Sequence, residues 1–181
     1  MGAFLSSGTF ISNINQIGSG ILTVNEVGTN TLAAKATSIT VSGLDLDTDS
    51  VYLVRGTIMN GGTSDYSSIF FNADTTATNY HHQRDSATGS TAQGERRNDS
   101  RIFFSGTTRQ STFEGTMMRS ADGKVKMILA INDSATTDIQ IKNVALEWIT
   151  TSTNVTGITI TNGTATNLDV GSKLSVYKYT V

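Results

Sequence analysis

The chain has 181 residues, 13 Lys and Arg against 15 Asp and Glu, a formal net charge of −2, and neither cysteine nor proline. Without cysteine there is no disulfide framework, thiolate zinc site or catalytic thiol, and a near-zero charge with no basic run argues against a dedicated nucleic-acid binder or a polybasic membrane anchor. Thr (29), Ser (20), Gly (17) and Asn (13) make up 44% of the chain against four Glu and six Lys, a composition that suits pleated strands and predicts an all-β protein of one domain.

Residues 1–37 read as an N-terminal arm with a first strand, and residues 38–181 as the sandwich domain. In the arm, Phe4, Leu5, Phe10, Ile11, Ile14 and Ile17 show no sustained alternation. The spacing 10, 14, 17 fits one short helical face, or a docking arm. Residues 21–27 read as a strand closed by a turn at Gly28-Thr29-Asn30. Residues 38–42 alternate with period two, and so do residues 50–59. In the second run Val51, Leu53, Arg55, Thr57 and Met59 share one face, and Tyr52, Val54, Gly56 and Ile58 the other. Apolar residues on both faces predict a central strand. After an Asn60-Gly61-Gly62 turn, residues 66–72 and 79–84 are further strands. Residues 85–100 hold no core residue beyond alanine and are expected to form a long connection, a place where function concentrates. A strand resumes at 101–105. Residues 111–119 and 124–132 flank Asp122-Gly123, a hairpin signal. Residues 138–150 change phase near Asn143, where a bulge is expected. Residues 155–161 and 174–179 complete nine or ten strands from residue 38 on. Helix is expected below about 10% of the chain, and no apolar run approaches the length of a membrane-spanning helix. The pattern predicts an antiparallel β-sandwich, jelly-roll-like, with an N-terminal arm.

Asp45, Asp47 and Asp49 are spaced as at the start of an EF-hand loop. However, Ser50 stands where that loop needs Gly, and Gly56 where it needs a bidentate Glu. A solvated acidic turn is therefore expected, with a calcium site as the alternative. His81 and His82 are the only histidines and point to opposite faces of a strand. One is expected in the core and the other in solvent, with no metal site. Gly89 and Gly94 have P-loop spacing, yet Glu95 and Arg96 follow in place of Lys and Ser/Thr, so they read as loop glycines. The serines lack a G-x-S-x-G elbow. Of the four glutamates only Glu114 and Glu147 fall in convincing strands, which leaves no evident pair of glycosidase carboxylates. Trp148 is in phase with Val144 and Leu146 and is expected in the core. These readings predict a protein that is not an enzyme and uses no cofactor. Its candidate partner contacts are Phe4, Phe10, Ile14 and Ile17 in the arm and the Arg96-Arg97 pair in the expected loop.

The run Ser42-Gly43-Leu44-Asp45-Leu46-Asp47-Thr48-Asp49, continuing through Val51-Tyr52-Leu53-Val54-Arg55-Gly56-Thr57-Ile58-Met59-Asn60, resembles small β-rich structural proteins of tailed bacteriophages. So do Ser68-Ile69-Phe70-Phe71-Asn72 with Asn79-Tyr80-His81-His82, and the ending Asp169-Val170-Gly171-Ser172-Lys173-Leu174-Ser175-Val176-Tyr177. The resemblance covers most of residues 38–179 and leaves 1–37 unmatched. It implies a jelly-roll-like sandwich in a virion, on the head surface or the tail; a fibre needs an elongated stalk, and with no heptads or repeats in the sequence a head decoration or surface protein is expected. Such a protein acts as a homo-oligomer, with a trimer as the expected state, and binds other virion proteins such as the major capsid protein. It carries no catalytic residue across. The alternatives are a tail or fibre-tip protein that binds host-surface glycan, and a free carbohydrate-binding module. Neither nucleic acid nor membrane is an expected partner.

Overall fold

The computed structural model describes residues 3–4, 10–11, 23–49, 51–61, 67–88, 91–102, 110–134, 139–151, 153–162 and 168–180. Its strands are, in chain order, β1 (Ala3–Phe4), β2 (Phe10–Ile11), β3 (Thr23–Thr31), β4 (Ser38–Ser42), β5 (Val51–Met59), β6 (Ser67–Phe71), β7 (Tyr80–Thr88), β8 (Thr91–Arg97), β9 (Arg101–Ile102), β10 (Gln110–Arg119), β11 (Val125–Ser134), β12 (Ile139–Trp148), β13 (Gly157–Asn162) and β14 (Lys173–Thr180). Among the described residues the one helical turn is a 3-10 turn at Ala77–Asn79, so the protein is all-β as its composition predicts.

Every strand pairing is antiparallel. An eight-stranded sheet runs β3-β14-β5-β10-β11-β12-β7-β8, and a four-stranded sheet runs β4-β13-β6-β9. Counting β3, β4, β5, β6, β9, β10, β13 and β14 as one to eight, the sheets read 1-8-3-6 and 2-7-4-5. That is the order of a jelly roll built from two Greek keys. Two hairpins, β7–β8 and β11–β12, are inserted into this frame. They pair with each other through β12 and β7 and extend the larger sheet by four strands. β1 and β2 form a separate two-stranded ribbon in the region read as an arm.

The core lies between the two sheets. The smaller sheet supplies Ile39, Val41, Ile69, Phe71, Ile158 and Ile160, and the larger supplies Tyr52, Val54, Ile58, Phe113, Met117, Leu174 and Val176. The inserted hairpins add Val125, Met127, Leu129, Ile131, Val144, Leu146, Trp148 and Tyr80. In β11 burial alternates without a break along its ten residues, the direct outcome of period-two side-chain direction. Trp148 stands 5.8 Å from Phe71, ring centre to ring centre, in the core as its phase predicts. Each such side chain contributes about 1.5–3 kcal/mol on full burial.

Three local expectations are corrected. First, the predicted turn at Gly28-Thr29-Asn30 is instead part of β3. Glu26 pairs with Tyr177 and Gly28 with Val176, so Val27 is the extra residue of a bulge. Gly28 is there for space: a Cβ on it would lie 3.0 Å from Val41 Cγ1. Second, the expected loop at 85–100 is mostly the β7–β8 hairpin, in register from His82↔Arg97 to Thr88↔Thr91. It lacks an apolar face because its inward side is lined by Arg84, Glu95 and Arg97, which pair with one another. Third, no bulge interrupts β12 at Asn143; its register with β11 and β7 is continuous. The phase does not change. Ile139 and Ile141 face solvent, 60% and 58% exposed, and Lys142 takes the inward position.

Candidate functional site

The face of the eight-stranded sheet turned away from the core is the most distinctive surface. Its register places Val24, Met118, Ile128, Ile139 and Ile141 on that side. Among the described residues these are five of the six exposed large hydrophobic ones, the sixth being Val170. Around them stand Ala87, Ala92, Ala130, Ala145 and Gly94. Some of the charges on this face are paired. Arg55 Nε lies 2.5 Å from Glu114 Oε2. Glu147 is approached by His81 at 3.7 Å, Lys124 at 3.7 Å and Lys126 at 3.9 Å.

Shallow depressions open on the same face. One, about 450 Å3, is lined by His81, Gln83, Arg96, Lys126, Ile128 and Glu147. Another, about 300 Å3, lies between Arg55, Thr57, Glu114, Lys173, Ser175 and Tyr177. None is enclosed enough to exclude water from a bound small molecule, which is what buried ligand pockets do.

The acidic turn is knitted into the fold. Asp45 Oδ1 accepts from Asn154 Nδ2 at 2.8 Å and from Thr48 N at 3.4 Å. Hydrogen bonds from Thr48 and Asn154 hold its carboxyl below the usual range. Asp47 Oδ1 accepts from Arg119 Nη2 at 2.7 Å. Asp49 Oδ2 accepts from Tyr52 Oη at 2.5 Å, and Lys178 Nζ lies 3.3 Å from Oδ1. Burial, reinforced by Asp49, pushes the Tyr52 phenol well up. The three carboxylates thus serve separate sets of partners, and among the described residues no three His, Cys, Asp or Glu side chains converge as a metal site.

The inward side of the added strands is polar. His82 has a fully buried side chain, with Nδ1 3.0 Å from Asp99 Oδ1, whereas His81 is 40% exposed; the core and solvent positions expected for the two histidines are both filled. Glu95 accepts from Arg84 Nη2 at 2.6 Å and from Arg97 Nε. Burial raises its carboxyl, but the bond from Arg97 and the charges of Arg84 and Arg97 outweigh that and hold it low. Next along the sheet, Ser111, Asp133 and Lys142 are all buried. Ser111 Oγ donates to Asp133 Oδ1, and Lys142 Nζ donates to Asp133 Oδ2.

Of the predicted contact residues, Arg96 and Arg97 are strand neighbours in β8 rather than a loop tip. They point to opposite faces, Arg96 to the outer depression and Arg97 inward to Glu95. Phe4 is in β1 and Phe10 in β2; Ile14 and Ile17 lie outside the described residues. Gly94 is on β8, in a strand rather than a phosphate-binding loop, and Gly89 is outside the described residues. The sequence reading missed the exposed isoleucines and the buried Asp133. The signals were there: Asp133 continues the inward phase of Val125, Met127, Leu129 and Ile131, and Ile139 and Ile141 are out of phase with Val144, Leu146 and Trp148. Compared with known proteins, the chain matches no family model, no curated protein and no solved structure.

Proposed function

We propose that this protein is a structural protein of a bacteriophage particle, a head decoration or surface protein that works by packing against copies of itself and against other virion proteins. The observation that carries this reading is the outer face of the eight-stranded sheet. It carries charges of both signs, among them the Arg55–Glu114 pair, and it presents Met118, Ile128, Ile139 and Ile141 to solvent. Exposed apolar side chains gathered on one sheet face are characteristic of protein contact sites. A jelly roll is also a recurrent scaffold of viral capsid proteins, and the strand and turn patterns resemble those of phage structural proteins. Function from fold remains analogy, so the test must be direct. Purified particles should contain the chain in many copies, and the isolated protein should sediment as an oligomer, a trimer being the expected state. Absence from particles together with a purely monomeric protein would overturn the proposal.

A second reading, glycan binding, is favoured by the depression that brings Tyr177 together with Arg55, Glu114 and Ser175. An aromatic face beside polar groups suits a sugar ring. Glycan-array binding that is lost in Tyr177→Ala would select it.

A further inference from the structure

We propose that Lys142 and Asp133 become joined by an intramolecular isopeptide bond, an amide between Lys142 Nζ and the Asp133 side-chain carbonyl carbon. The inference is independent of the proposed function. Asp133 is fully buried, and the Lys142 side chain is 3% exposed. They lie on the inward faces of β11 and β12 in a diagonal relation: Ile131 is directly opposite Lys142, and Gln140 is opposite Asp133. A long side chain spans that diagonal, and Lys142 Nζ contacts Asp133 Oδ2. The other carboxyl oxygen, Oδ1, accepts the Ser111 hydroxyl. Ile58, paired with Ser111 across β5, and Ile131 and Val144 are apolar neighbours, each 1% exposed or less.

This arrangement meets the requirements of amide formation. An ammonium and a carboxylate in water do not condense, because both reactive forms are scarce and water is in excess. The apolar walls remove the excess of water, and the direct contact of Nζ with Oδ2 lets a proton pass within the pair. One proton passes from Lys142 Nζ to Asp133 Oδ2. The amine lone pair then attacks the carboxyl carbon, and negative charge develops on Oδ1, where the Ser111 hydroxyl already donates. Such a placed donor stabilises an oxyanion. The C–Oδ2 bond breaks, and Oδ2 takes a second proton from Nζ and leaves as water. One N–C bond forms, one C–O bond breaks, and one water is released, so no oxidant, activating group or metal is required. The sheet holds the reactants together, which replaces a bimolecular encounter. Exclusion of water then protects the product. For a chain with no cysteine, this is a covalent tie that needs no oxidising compartment.

The test is the intact mass of the full chain under denaturing conditions, after purification in the folded state. The expected mass is one water below that of the sequence. Peptide mapping should show a branched peptide joining the segments of Asp133 and Lys142, with no tryptic cleavage after Lys142. Lys142→Arg keeps the cation but cannot form this amide, and its mass should equal its own sequence mass. Ser111→Ala should give a mixture in which the full-mass form predominates early. A wild-type protein that is folded by circular dichroism yet carries its full sequence mass overturns the proposal and leaves an ordinary buried ion pair. A water loss that persists in Lys142→Arg overturns it as well. Should Lys142→Arg fail to fold, the branched peptide in the wild-type map, found or not found, decides the matter.

Discussion

Asn72 and Ala73 both have a positive φ, +53° and +57°, and they link the smaller sheet to the larger. Asn72 tolerates that conformation well and is held in it. Its Oδ1 accepts from Thr156 N at 2.8 Å, and its Nδ2 donates to Asn154 O at 2.6 Å. Ala73 is exposed and gains nothing comparable. For an L-residue the left-handed region costs about 1–2 kcal/mol, while glycine returns some of that as unfolded-state entropy. Ala73→Gly should therefore stabilise the fold by about 0.5 kcal/mol, seen as a Tm rise of about 1–2 °C; a lower Tm would contradict the assignment. Asp74, next in the chain, accepts from Trp148 Nε1 at 2.8 Å and Asn79 Nδ2 at 2.7 Å. Burial raises its carboxyl, but these bonds together hold it below the usual range. A depressed folded value means that the unfolded chain binds the proton more readily. The stabilisation is thus complete above the ordinary aspartate range and is lost as pH falls through the lower folded value. Asp74→Asn cannot titrate. It should be less stable than wild type at neutral pH and should lose less stability between pH 4 and 2, measured by urea midpoints. Identical acid slopes would show that Asp74 is not a linked group. The burial of Trp148 was legible from its phase; its partner Asp74 was not, because 74 residues separate them.

Between strands, the pairing of Phe113 with Gly56 is a demanding contact. A Cβ on Gly56 would sit 2.4 Å from Phe113 Cζ and 2.6 Å from the Lys173 carbonyl oxygen. The ring could turn away, but the carbonyl belongs to β14 and cannot move without breaking the ladder to β5. Gly56→Ala should then cost about 1–3 kcal/mol, the range for overpacking. Gly56→Ala combined with Phe113→Leu should recover only part of the loss. Full recovery would mean that the carbonyl does yield. The Asp45–Asp49 turn is another element with a definite expectation. Since its carboxylates are engaged by Asn154, Arg119, Tyr52 and Lys178, melts with EDTA and with added calcium should coincide. A shift above roughly 5 °C, about a kcal/mol or more for a chain of this size, would reveal a calcium site. Which strands could be read from sequence follows from what lines them. β5, β10 and β11 bury apolar residues at period two and were visible. β8 fills its inward positions with Glu95 and Arg97, so its alternation is one of ion pairs, and hydrophobic periodicity cannot detect it.

At the scale of the molecule, the jelly-roll frame was readable because six of its eight strands carry an apolar alternation. The four-strand extension was not, since which hairpins pair is settled by contacts far apart in sequence, such as β12 with β7. That extension creates the broad outer face, and the face and the N-terminal segment are the two rival candidates for the proposed self-association. The sequence expectation rests on the segment: six large apolar side chains within residues 1–19 would gain roughly 1.5–3 kcal/mol each on full burial. The fold adds the face, where Ile128 and Ile141 are about 60% exposed. Charged substitutions at exposed strand positions cost the monomer little, within about 0.5 kcal/mol, but a charge buried at an interface without a partner is expensive. Ile128→Glu with Ile141→Glu should thus keep the circular dichroism and Tm of wild type while shifting sedimentation to the monomer. Deletion of residues 1–19 should likewise keep the β signal and, if the arm is the anchor, abolish assembly or particle binding. The outcomes separate cleanly. Loss only in the double substitution assigns association to the sheet face, and loss only in the deletion assigns it to the arm. Loss in both requires the two together, as when weak contacts are multiplied by cyclic symmetry. Unfolding of the deletion would place those side chains in the protein's own core. Full assembly of both variants would remove the physical basis for the structural role.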